Sequence, residues 1–225
     1  MAARKSRSGN PSRRKATARR PQNEVENKVL VVTEGTVTEP QYFERLKGII
    51  SEDFGVQLVV RPKLSKKPKT KWTSNPVSVV EQAIRIRDEA NDQGGDVVPY
   101  ACCFAVVDVD QWNQGKQPTA LRQAIALAQK EGIVLVVSNL KFEVWLLCHA
   151  DESSRPPTTS AELDKRCASA GLMRGKTLKT DFPFGRYEEA KAVALQLGRV
   201  KAGQAGPNPS TAMPNFLDAI RALAD

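Results

Sequence analysis

The chain has 225 residues, 40% of them hydrophobic and 26% charged, with a net charge of +9. That is length enough for one domain with a proper core and an ordinary balance for a soluble globular protein. No apolar run approaches the roughly 20 residues a bilayer crossing needs, and no apolar segment follows the basic N-terminus as a secretory signal requires, so a cytoplasmic protein without membrane contact is expected.

The positive charge is concentrated at the start. Residues 1–23 hold eight Arg or Lys residues, Arg13 and Arg14 among them, and no acid. Residues 1–24 therefore read as a disordered basic tail, either a salt-sensitive arm for nucleic-acid phosphates or a solubilising terminus. The four apolar residues Val29 to Val32 form a short buried strand, followed by Glu34, Gly35, Glu39 and Pro40. Proline favours the first helical turn, where its missing N–H has no partner to lose. The stretch is thus strand, turn and helix start, the helix running from about Glu39 to Ile50 with Phe43, Leu46, Ile49 and Ile50 on one face.

A second strand, Val56 to Arg61, ends at Pro62. The loop behind it carries Arg61, Lys63, Lys66, Lys67, Lys69 and Lys71 without an acid and closes at Trp72. Such a loop is a solvated connection or a nucleic-acid contact, with Trp72 offering a stacking face. Asn75-Pro76 is the N-cap and first-turn proline of a helix to about Asn91. Tyr100 to Val107 is continuously apolar, as a strand covered on both faces requires, and ends in Asp108-Val-Asp110. Pro118 opens a helix through Lys130, with Gly132 just past its end. Ile133 to Val137 forms the fourth strand and leads into Ser138, Asn139, Lys141 and Glu143, where a buried helix follows.

The segment 25–150 alternates strand and helix, which predicts an α/β core with a mostly parallel sheet of about four strands flanked by helices. Beyond the Pro-Pro pair at 156–157, helical patterns at 160–170, 187–202 and 213–224 form an extension, 151–225, packed on that core. Ser160 and Thr211 are its expected N-caps.

In such a sheet the carboxyl ends of the parallel strands share one edge, where ligands bind. Glu34, Asp108, Asp110 and Glu143 all fall there. Acids converging on one edge repel unless a cation neutralises them, and hard oxygen donors suit Mg²⁺ or Mn²⁺. Each piece also has a plainer reading. Glu34 is an acid favoured near a helix start, Asp-x-Asp is a common loop motif, and Glu143 also suits a buried position with a basic partner. Glu39 beside Pro40 reads first as a helix-start residue. The only histidine, His149, lies in an apolar stretch, and there is no nucleophile elbow, P-loop or G-x-G-x-x-G. Carboxylates beside basic segments point to metal-assisted phosphate chemistry.

On Val-Val-Thr-Glu34-Gly-Thr-Val-Thr-Glu39-Pro-Gln-Tyr42-Phe43, Phe104-Ala-Val-Val-Asp108-Val-Asp110, Ser138-Asn139-Leu-Lys-Phe142-Glu143-Val-Trp145 and Asn208-Pro-Ser210-Thr211, the sequence resembles the RloB-like family. It departs at Leu140-Lys141, where the family usually has Pro-Cys. The family looks like a branch of the Toprim superfamily of topoisomerases, primases and OLD-type nucleases, so the resemblance implies a Toprim-like, Rossmann-like fold. It also implies Mg²⁺-dependent nuclease or nickase activity on DNA or RNA, a role in anti-phage defence or abortive infection, and an ATPase partner. Glu34, Asp108 and Asp110 would be the Toprim acids that hold the metal and act in catalysis. Ser138, Asn139 and Glu143 are family positions without an assigned role. The alternative is a catalytically silent subunit that binds nucleic acid or docks to the ATPase.

Overall fold

The computed structural model describes residues 27–64, 75–93, 98–109, 112, 119–150 and 156–224. Strand β1 (Asn27–Thr33) lies in a five-stranded sheet between β2 (Val56–Arg61), at one edge, and the central strand β3 (Cys102–Asp108). Strand β4 (Val134–Asn139) lies beyond β3, and all four run parallel. Successive side chains of a strand alternate faces, so β1 feeds two cores. Val29 and Val31 join one and Leu30 and Val32 the other, which is why its apolar run has no polar interruption.

The smaller core is covered by α2 (Pro76–Asp92) and α3 (Ala120–Glu131), through Val79, Val80, Leu121 and Ala124. Their starts are capped as the residue types require. The Asn75 side chain accepts from Val77 N–H at 2.9 Å, and Thr119 Oγ1 accepts from Arg122 N–H at 3.3 Å. The larger core lies under α1 (Thr38–Phe54), α4 (Glu143–Cys148), α5 (Ser160–Ser169), α6 (Tyr187–Leu197) and α7 (Met213–Ala222). It is an aromatic cluster. Tyr42 stands edge-on to Phe43 and Phe142, both at 5.5 Å, and Phe104 of β3 meets Phe216 of α7 at 4.8 Å. Such pairs contribute about 0.5–1.5 kcal/mol beyond their buried area. His149 belongs to this cluster, with Nε2 3.3 Å from the Tyr42 hydroxyl and burial lowering its pKa to about 4.

The expected α/β architecture is present, with differences in the last third. A fifth strand, β7 (Ser210–Thr211), runs antiparallel to the end of β4. Its two residues are too few to show a period-two pattern. Thr211 is therefore a strand residue. It still accepts from Met213 N–H at 3.3 Å, but Ala212 occupies the position before α7. Thr159, not Ser160, caps α5, accepting from Glu162 N–H at 3.2 Å. Helix α6 stops at Leu197, short of 202, because Gly198 takes φ 151°, outside any helix. The connection 171–186 contains a hairpin, β5 (Met173–Arg174) and β6 (Thr177–Leu178). All four cysteines are free thiols, three of them buried. Among the described residues no helix is long and apolar enough to cross a membrane. The basic tail lies outside the described residues.

Candidate active site

The carboxyl edge of the sheet opens into a cleft of about 370 Å³. Glu34 enters it directly from β1. Its N–H continues the ladder to Val106 C=O at 2.9 Å, and its carboxylate accepts from Asp108 N–H at 3.1 Å and from the Trp112 indole N–H at 2.8 Å. Asp108, the last residue of β3, stands half-buried beside it. Register fixes this proximity, because Thr33 pairs with Val106 and Asp108 with Ser138.

Glu39 is 8% exposed and lines the same cleft from the first turn of α1. The turn is shaped around it. A Cβ at position 35 would stand 2.0 Å from a Glu39 carboxylate oxygen, so any larger residue there would displace the Glu39 side chain from this position. Burial raises Glu39 from 4.5 to about 7, and the charges of Glu143 and Glu34 push the same way against hydrogen bonds from its own N–H and that of Gly35. Gly35→Ala is accordingly expected to swing this carboxylate out and return its titration toward the ordinary glutamate range, since only the far end of a flexible side chain has to move. NMR titration of the glutamate side chains reads this. A Gly35→Ala variant whose Glu39 still titrates near 7 would show that the close approach does not hold it.

Glu143, at the first position of α4, and the half-buried Lys141 complete the floor. Burial and then the charges of Glu39, Glu143 and Glu34 hold Asp108 well above the usual carboxylate range, with the Phe142 N–H opposing. Burial also raises Glu143, against Lys141 and Lys176. Lys141 is paired with Asp164 at 2.6 Å. A cluster in which acids are pushed toward protonation is short of positive charge.

The structure thus brings Glu34, Glu39, Asp108, Glu143 and Lys141 together. Ser138 and Asn139 do not face the cleft. Ser138 is buried with Oγ 3.0 Å from Thr211 Oγ1, and Asn139 donates to Gly206 C=O at 2.9 Å, so both tie β4 to the 206–211 segment. The Asn139–Leu140 peptide is cis. Arg61 and Lys63 line a separate groove of about 500 Å³ along the sheet edge β2, with Lys47. Asp110, Lys66, Lys67, Lys69, Lys71, Trp72, Arg13 and Arg14 lie outside the described residues. Sequence reasoning missed Trp112 and Lys176, which both line the cleft. A tryptophan two positions past Asp110 in a polar loop was the one local signal. Lys176 had none.

Oxygen donors of this kind match a hard divalent cation. Among the described residues, however, no group of three or more His, Cys, Asp or Glu side chains is arranged to hold a metal ion. Glu34 already spends its carboxylate on Trp112 and the Asp108 amide. The donor chemistry fits, and the described acids alone do not close a ligand shell.

No curated protein and no solved structure matches the chain. The family model described as RloB-like protein matches residues 29–220, nearly all of the sheet and the helices around it. The chain therefore belongs to the RloB-like family.

Proposed function

We propose that the chain is a metal-dependent enzyme that cleaves phosphodiester bonds of nucleic acid, acting in anti-phage defence. The observation that carries this reading is the convergence of four acids and two lysines on one cleft at the carboxyl edge of a parallel sheet. Glu34, Asp108 and Asp110 would hold Mg²⁺ or Mn²⁺, which when bound offsets the acids and polarises a phosphate oxygen. The chain's own groups do the rest. The Trp112 indole and the Asp108 amide orient Glu34, and Gly35 lets Glu39 sit beside it. Glu39, titrating near neutrality, can take or give a proton at its carboxylate. Arg61 and Lys63, with the basic loop and tail, would follow the substrate backbone.

The test is cleavage of plasmid, single-stranded DNA and tRNA with Mg²⁺ or Mn²⁺, comparing the wild type with Asp108→Asn and Asp110→Asn, with and without a neighbouring ATPase. Metal-dependent cleavage by the wild type alone supports the proposal. Equal activity in all three proteins sinks the metal-site mechanism. Nucleic-acid binding without cleavage favours the second reading, a silent subunit that docks to an ATPase.

A further inference from the structure

The β5–β6 hairpin is held against α1 by side chains one and two turns apart. Thr38 Oγ1 donates to Lys176 C=O at 3.1 Å, Gln41 Oε1 accepts from Leu178 N–H at 3.2 Å, and Arg45 donates to Lys179 C=O at 2.7 Å. The Arg45 guanidinium also lies 4.6 Å over the Phe184 ring. Met173 and Leu178 anchor the hairpin in the larger core, and Gly175 turns the chain at φ 59°, in the left-handed region. So short a hairpin would not hold its shape alone in water. Here its turn is fixed, and it places Lys176 at the cleft beside Glu39 and Glu143.

The three cations near this site have different engagements. Lys141 is paired with Asp164, and Arg45 is committed to hairpin carbonyls and outside the cleft lining. Lys176 is exposed and, among the described residues, forms no ion pair, although four acids share its cleft. A phosphodiester approaching those acids meets net repulsion unless a positive group receives its non-bridging oxygens. An ammonium on a flexible stem, carried on a fixed turn, suits that task as a point charge.

We propose that Lys176, fixed at the mouth of the acid cleft by the docking of the β5–β6 hairpin on α1, binds a backbone phosphate of the nucleic-acid substrate. This rests on the phosphodiester reading above. Thr38, Gln41 and Arg45 act through it as positioning residues, since they hold the hairpin backbone and not the substrate.

The test uses the full chain and tetrathymidylate, short enough to limit contacts outside the cleft, with Ca²⁺ in place of Mg²⁺ so that cleavage does not interfere. Lys176→Ala is expected to weaken binding about tenfold and to flatten the salt dependence by roughly one phosphate contact, with an unchanged melting temperature because the side chain is exposed. Lys176→Arg, which keeps the charge, should stay within about threefold of the wild type. Unchanged affinity and salt slope in Lys176→Ala overturn the proposal. If the wild type cleaves DNA through Asp108 while Lys176→Ala binds normally, the Lys176 assignment falls and the nuclease reading stands. If nothing is cleaved but Lys176→Ala loses affinity and slope, Lys176 stands as a phosphate-binding residue and the nuclease reading falls.

Discussion

Asp108→Asn is expected to lower metal-dependent cleavage by at least about 100-fold, which corresponds to roughly 2.7 kcal/mol of transition-state stabilisation. Asp108 ends β3 where the acids converge, and its amide N–H already orients Glu34. The asparagine keeps that amide and keeps an oxygen able to accept from the Phe142 N–H, so the local fold has no reason to change. What disappears is an ionisable carboxyl from a cluster whose members repel. Burial and the charges of Glu39, Glu143 and Glu34 raise Asp108 well above the ordinary range, so its ionisation is disfavoured in the folded protein. Asp108→Asn should therefore melt higher than the wild type without divalent cation, while losing activity. Initial rates with Mg²⁺ and thermal melts with a chelator check the two halves. A variant that melts lower and cleaves normally would remove Asp108 from the site.

Glu39→Gln is expected to stabilise the folded protein at pH 8 by up to about 3 kcal/mol and to have almost no effect at pH 4.5. The folded chain holds the Glu39 proton up to about pH 7, whereas the unfolded glutamate releases it near 4.5. Stability from this group is thus fully present below about 4.5 and lost as the pH rises to about 7. At about 1.36 kcal/mol per unit the shift is worth roughly 3 kcal/mol. The coupled repulsion from Glu143 and Glu34 is part of that figure. Glutamine keeps an acceptor for the Gly35 N–H and carries no charge, so it escapes the loss. Denaturant unfolding of both proteins across this pH range reads the difference directly. The same stability difference at pH 4.5 and pH 8 would mean that Glu39 is not the neutral, buried acid described here.

Local sequence features carried most of the sheet and its first helices. The apolar run of β1, the Asn75-Pro76 start of α2 and Gly132 after α3 act within a few residues, so their structural consequences could be read in the chain itself. The convergence of Glu34 with Asp108 also followed from strand order, because parallel strands share an edge. Glu39 was harder. Pro40 accounts for a first-turn position, which α1 adopts, but the neighbouring glycine leaves a space that is visible only once the turn is built. Ser138 and Asn139 resemble site residues in sequence, and their partners lie 73 and 67 residues away in a segment with no strong pattern of its own. Lys176 depends on contacts such as Thr38 with its carbonyl, 138 residues apart. No window of sequence contains both halves of such a contact.

The most direct measurement is a calorimetric titration of the full chain with Mn²⁺ at pH 7, run in two buffers of different ionisation enthalpy. Glu39 is part-protonated at that pH and Asp108 is raised toward protonation, so a cation bound among these acids should displace protons from the protein. A saturable site with proton release is expected, weakened by an order of magnitude or more in Asp108→Asn. Binding absent from the wild type, or undiminished in Asp108→Asn, would contradict a metal held at the carboxyl edge of this sheet.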